Sequence, residues 1–185
     1  MNLPNKLTLL RVVLAPVFMA FMMIDAPWAK WIGLLIFAGA SLTDMLDGKI
    51  ARSRGLITTF GKFADPLADK MLTTAAFIIF TYKGITGPWP LFIILIREFA
   101  VSGIRLVAAA DGEVIAASFW GKFKTVTQMI AIIAGILIMC LPGIFLSSGN
   151  IITSILVWIS VLFTIISGIE YIVNNRKLLK FKELR

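Results

Sequence analysis

The 185-residue chain has no histidine and a single cysteine, Cys140. Without an imidazole there is no Ser-His-Asp or Cys-His arrangement to build, so nucleophilic catalysis of that kind is excluded. The same shortage argues against zinc, copper and iron–sulfur centres, which take nitrogen or sulfur ligands, and leaves oxygen as the donor for any metal. One cysteine cannot close an intramolecular disulfide, and Cys140 lies in an apolar run beside Met139 and Leu141, where inert packing is the expected role. Charge is sparse as well, at 15% of residues. No internal repeat, low-complexity tract or composition break is visible, and residues 1–185 read as one domain. The opening Asn2-Leu3-Pro4-Asn5 lacks a small-residue cleavage site, so the first apolar stretch reads as a retained helix and not a signal peptide.

What the chain has in abundance is hydrocarbon. Hydrophobic residues make up 59% of it, and the mean hydropathy is +0.93, well beyond the roughly 50% apolar usage of soluble domains. Counting apolar runs of about 20 residues predicts an all-α bundle of six transmembrane helices. The spans are Leu7 to Met23, Trp31 to Ile50, Leu67 to Tyr82, Trp89 to Ala108, Phe119 to Leu141 and Ile151 to Val173. Of the 18 Lys and Arg, only Lys30 and Lys83 fall toward the connections at Asp25–Trp28, Lys83–Pro88 and Pro142–Asn150. The positive-inside rule therefore places both termini, the turn from Arg52 to Gly61 and the Asp111 to Glu113 loop in the cytoplasm. Trp28, Trp31 and Trp89 are set as an outer aromatic belt would be. The net charge of +8 follows the membrane and forms no aromatic-studded basic face, so a nucleic-acid partner is not expected. The basic tail from Arg176 to Arg185 reads as a surface stop signal that meets anionic lipid.

Against this background, four carboxylates stand out between positions 44 and 69: Asp44, Asp47, Asp65 and Asp69. An ionised side chain in hydrocarbon costs several kcal/mol unless compensated, so something positive must sit among them. The spacings i, i+3 and i, i+4 put each pair on one face of its own helix. Ser53, Gly55, Thr58, Thr59 and Gly61 read as a tight turn that folds the second helix back, so that the pairs face each other. The result is an all-oxygen cage suited to Mg²⁺ or Mn²⁺. Interhelical glue and a cation pathway are the alternatives; carboxylates this dense with few bases nearby make poor glue, and transporters more often repeat such a feature in both halves. Gly48 and Ala51 are small residues a helical turn apart, where a nucleotide could approach the backbone, and Arg52 could neutralise its phosphates.

The string D-x2-D-G-x2-A-R-x8-G-x3-D-x3-D is present at every fixed position from Asp44 to Asp69, and it resembles the signature of the CDP-alcohol phosphotransferase family. That resemblance implies a multi-pass enzyme of the cell membrane with a cytoplasm-facing active site. It further implies two divalent ions (Mg²⁺ or Mn²⁺) held by Asp44, Asp47, Asp65 and Asp69, with Asp69 also the general base, and a homodimeric assembly. By the same resemblance Asp47, Gly48, Ala51, Arg52, Thr58 and Gly61 bind the CDP-linked lipid, CDP-diacylglycerol, whose phosphatidyl group passes to an alcohol.

A second polar region bears on the alcohol. Arg97 and Arg105, eight residues apart on one helix, differ by about 80° around its axis and can face one cavity. Lys122 and Lys124 open the next helix from the same side of the membrane. These cations point to an anionic ligand beyond the metals, unless Arg97 pairs with Glu98 or a motif aspartate and the lysines snorkel. The strings R-E-F-A-V-S-G-I-R (97–105) and A-S-x-x-G-K-x-K-T-x-x-Q (117–128), with the opening N-L-P-N-K-L-T-L-L-R, resemble those members of the family that use sn-glycerol 3-phosphate. They imply a glycerol-3-phosphate site of Arg97, Arg105, Lys122 and Lys124, attack on the β-phosphate, and release of CMP. Serine, inositol phosphate or phosphatidylglycerol are the alternative acceptors within the family.

Overall fold

The computed structural model describes residues 3–54, 59–110, 115, 118–141 and 146–176; the side chains of residues 3–5, 44–54, 59–67, 69, 110, 146 and 147 lie outside that description. The described residues form six helices and no strand: α1 (Leu3–Met23), α2 (Pro27–Arg54), α3 (Thr59–Tyr82), α4 (Pro88–Ala110), α5 (Phe119–Cys140) and α6 (Leu146–Asn174). Among the described residues, three of them are long and apolar enough to cross a membrane by length and composition, over Lys6–Met23, Phe119–Cys140 and Ser148–Asn174. The aspartates of the first polar region lie on α2 and α3 and the cations of the second on α4 and α5; among the described residues α3 has an apolar stretch over Lys70–Tyr82. The chain is an all-α membrane protein.

The helices outrun the expected spans where polar residues follow apolar ones. α2 begins at Pro27 and continues to Arg54, α3 begins at Thr59 and α6 at Leu146. Arg52, Ser53, Thr59 and Gly61, expected in a turn, are therefore helical. Lys, Arg and Ala are good helix formers, so the chain stays helical beyond its apolar window. Gly55 and Thr58 lie outside the described residues, as do the Asp111 to Glu113 loop, residues 142–145 and the tail beyond Arg176.

Local chemistry accounts for the helix ends. Pro27 and Pro88 open α2 and α4, where a missing N–H leaves no bond unmade. Gly84 closes α3 at φ 70°, and the Ile85 N–H donates back to the Phe80 carbonyl at 2.9 Å, the six-to-one bond of a Schellman end. The Ser118 Oγ caps α5 by accepting from the Gly121 N–H at 3.1 Å.

α1 packs on α2 and α3, α5 lies along α6, and α4 leans on α6. The core between them holds Phe18, Met22, Phe37, Phe77, Phe80, Ile132, Ile136 and Val157. Gly135 lets α5 close on its neighbours, since a Cβ there would stand 2.5 Å from Phe80 Cζ and 2.7 Å from Thr153 Cγ2. Buried hydroxyls are satisfied within their helix, as where Thr164 donates to the Ser160 carbonyl at 2.7 Å, and Gln128 crosses from α5 to donate to Thr164 at 3.1 Å. At the end of the bundle where Trp28, Trp31 and Trp89 are exposed, Lys83 Nζ donates to Asp25 Oδ1 at 2.5 Å and ties two connections together. The opposite end carries the charged residues of the sequence motifs.

Candidate active site

Asp44, Asp47, Gly48, Ala51 and Arg52 fall in the last three turns of α2, and Gly61, Asp65 and Asp69 in the first three turns of α3. Both helices pack against α1 and touch each other, joined by the four residues 55–58. The side chains of these site residues, and Thr58 altogether, lie outside the described residues, so their placement is that of their backbone. The donor set is carboxylate only, carried on two successive helices, and that chemistry suits a hard divalent cation.

Beside it, a polar network crosses four helices. Its centre is Glu98 on α4, whose side chain is 13% exposed. Lys124 of α5 donates to its Oε1, Lys70 of α3 approaches Oε2 at 3.6 Å, and Arg97 Nη1 lies 3.4 Å from Oε1. A carboxylate this enclosed is tolerated because cations from three helices compensate it. Lys70, the residue after Asp69, also donates to the Ser102 hydroxyl, so the helix that carries two of the aspartates is pinned to α4.

Arg97 reaches α6. Its Nη2 donates to the Ser167 Oγ at 2.5 Å, and a glycine gives it room: a Cβ at Gly168 would stand 3.1 Å from Arg97 Cγ. Its Nε is buried with no hydrogen-bond partner among the described residues. Arg105 reaches the same helix one turn further on, where Nε donates to the Tyr171 hydroxyl at 3.3 Å and the guanidinium lies 5.6 Å from the ring centroid. That contact is a cation–π interaction, which brings no formal counter-charge of its own. Lys122 is exposed, with no ion-pair partner among the described residues, whereas Lys124 is buried. Of the expected acceptor cations, then, Arg97 and Arg105 converge on α6, Lys124 is bound to Glu98, and Lys122 stands at the rim.

Ser102, Ser167, Glu170 and Tyr171 were not anticipated from sequence. The last three share a face of α6 at i, i+3 and i+4, continuing a polar stripe through Ser160 and Thr164, and that period was the available signal. Between α1, α3 and α4 there is an apolar cavity of about 590 Å³, lined by Val12, Pro16, Met19, Met71, Ile78 and Phe99, with Lys70 and Glu98 at its polar end. Met71, Ile78 and Phe99 are exposed, so it opens on the flank of the bundle.

An all-helical membrane bundle with an acidic motif across α2 and α3 and a cationic cluster beside it defines a class. The chain belongs to the CDP-alcohol phosphatidyltransferase family, whose model matches residues 1–166. It is 43% identical over 191 residues, 97% of each chain, to a Bacillus subtilis (strain 168) protein named CDP-diacylglycerol–glycerol-3-phosphate 3-phosphatidyltransferase. A Rickettsia bellii protein of the same name is 39% identical over 92% of this chain and 93% of its own. A Mycobacterium tuberculosis (strain H37Rv) protein named probable phosphatidylglycerophosphate synthase is 37% identical over 92% of this chain and 80% of its own. The likeness extends into α5 and α6, beyond the strings that carried it in the sequence.

Proposed function

We propose that the protein transfers the phosphatidyl group of CDP-diacylglycerol to sn-glycerol 3-phosphate, giving phosphatidylglycerophosphate and CMP. The observation that carries the reading is the pair Arg97 and Arg105, delivered by α4 to hydroxyls of α6 at the end of the bundle that holds the aspartates. An acceptor that is itself an anion gives those charges a purpose, and an uncharged alcohol would not. The names of the relatives support the same acceptor.

In this reading Asp44, Asp47, Asp65 and Asp69 hold two Mg²⁺ or Mn²⁺ ions, which when bound polarise the phosphoryl oxygens and neutralise the charge on the leaving CMP. Asp69 accepts the proton of the acceptor hydroxyl. The freed oxygen bonds to the β-phosphorus, the bond between that phosphorus and the bridging oxygen breaks, and the electron pair leaves on CMP. Asp47, Gly48, Ala51, Arg52, Thr58 and Gly61 hold the CDP portion. Arg97, Arg105 and Lys122 bind the phosphate of the acceptor, and Lys124, through Glu98, sets the charge beside it. The flank cavity takes acyl chain. The whole chain acts as one domain, crosses the cell membrane six times with both termini and the active site facing the cytoplasm, and pairs as a homodimer; the lysine and arginine distribution supports the orientation, and family resemblance the dimer.

Purified protein with CDP-diacylglycerol and a panel of acceptors tests the reaction. CMP release is expected with sn-glycerol 3-phosphate and not with serine, free inositol or phosphatidylglycerol. Equal release with serine or inositol phosphate would overturn the acceptor.

A further inference from the structure

Among the described residues, two polar atoms near the acceptor end of α6 are buried without a hydrogen-bond partner, Arg97 Nε and Glu170 Oε2. One is a donor and the other an acceptor. A buried carboxylate oxygen left unpaired is costly, so a group of this kind calls for a partner beyond the described residues, and a bound ligand is one that its position suits. Its position narrows what that partner is. Ser167 and Tyr171, the α6 anchors of Arg97 and Arg105, are four residues apart, which is about 6 Å along a helix. Glu170 lies between them, on the turn that follows Ser167. The residue that bears the bare carboxylate oxygen therefore belongs to the same turn of α6 that receives both arginines.

A ligand that satisfies both atoms brings hydrogen-bond acceptors to the arginines and a donor to Glu170. A phosphate that also carries a hydroxyl does both. We infer that Glu170 is a specificity residue for the acceptor, its Oε2 accepting a hydrogen bond from the secondary hydroxyl of glycerol 3-phosphate, the one that does not react. The inference rests on the proposed reaction and deepens it: the arginines select for an anion, and Glu170 selects among anions for one with a free hydroxyl. Arg97 and Arg105 bring two cations to this turn of α6 through Ser167 and Tyr171, and these offset the charge of the bound phosphate. A carboxylate also refuses a ligand that offers only acceptors at this point, which an apolar residue would not.

The test compares sn-glycerol 3-phosphate with 3-hydroxypropyl phosphate, which keeps the phosphate and the reacting primary hydroxyl but lacks the secondary one. With full-length protein and CDP-diacylglycerol in micelles, wild type should prefer glycerol 3-phosphate by about 10- to 150-fold in kcat/KM, the range for a hydrogen bond to a charged group. Glu170→Ala should bring that ratio to within about 3-fold of unity, the loss falling on glycerol 3-phosphate. Glu170→Gln keeps the shape and a neutral acceptor, and should cut the ratio by about 3- to 10-fold. An unchanged ratio in Glu170→Ala overturns the inference. So does an equal loss on both acceptors, which marks a packing role, or a wild type that does not distinguish them. If Glu170→Ala cannot be purified, an unchanged ratio in Glu170→Gln overturns it instead. Absence of CMP release from wild type with glycerol 3-phosphate would instead refute the reaction itself, so the two failures are distinct.

Discussion

Arg105 and Tyr171 show how a single contact limits substitution. The guanidinium both donates to the Tyr171 hydroxyl and lies over its ring, a geometry that a lysine ammonium cannot reproduce in full. Arg105→Ala should lower kcat/KM for glycerol 3-phosphate by roughly 10- to 150-fold, the value of one charge-assisted bond, and Arg105→Lys should recover only part of it. Steady-state kinetics with saturating CDP-diacylglycerol decides this, and full rescue by lysine would contradict it. Glu98 carries a different risk. Its removal strands Lys70, Arg97 and Lys124 without the carboxylate they share, which costs about 3–5 kcal/mol for a buried pair. Glu98→Ala should therefore reduce the folded yield in mild detergent, whatever the assay shows. At the far end, Asp25 is held below its usual carboxylate value of 3.8 by the hydrogen bond and then the charge of Lys83. A group whose pKa is lowered by folding stabilises the fold above its unfolded pKa, and that contribution vanishes as pH falls through the folded value. Asp25→Asn should accordingly lower the Tm near neutral pH and leave it unchanged in acid below the folded pKa, as a melting series across pH would reveal.

Among the elements, the apolar runs made all six helices readable, because nothing else satisfies backbone groups in lipid. Their ends were harder to read. A lysine or aspartate ends a hydrophobic window but not a helix, so α2 and α3 extend through charged turns that hydropathy alone assigns to a bend. The aspartates could be singled out because four of them in 26 positions conflict with their surroundings, whereas the α6 anchors could not. Serine and tyrosine in a membrane helix most often serve as packing, and only the partner across the interface distinguishes an anchor from glue. Helix approach is similarly hidden in sequence: Gly135 looks like any other glycine until Phe80 and Thr153 are seen against it. Gly135→Ala should cost about 1–3 kcal/mol through overpacking, seen as a lower Tm with kcat little changed. A stability equal to wild type would mean that α5 can withdraw from α3 and α6 without cost.

For the whole molecule, chelation should abolish turnover and Mg²⁺ or Mn²⁺ should restore it, while full activity in excess chelator would rule out carboxylate-held metals. Single cysteines in a Cys140→Ser background at Lys122 and at Asp25 should label from opposite faces of sealed vesicles, Lys122 from the cytoplasmic one. The cavity between α1, α3 and α4 has one more consequence. Because it opens sideways through Met71, Ile78 and Phe99, the proposed lipid substrate would reach it by sliding in two dimensions within the leaflet, and its bulk molarity would be the wrong variable. Rate should follow the mole fraction of lipid in the micelle. Doubling the detergent at constant lipid slows the reaction, and doubling both together leaves it unchanged.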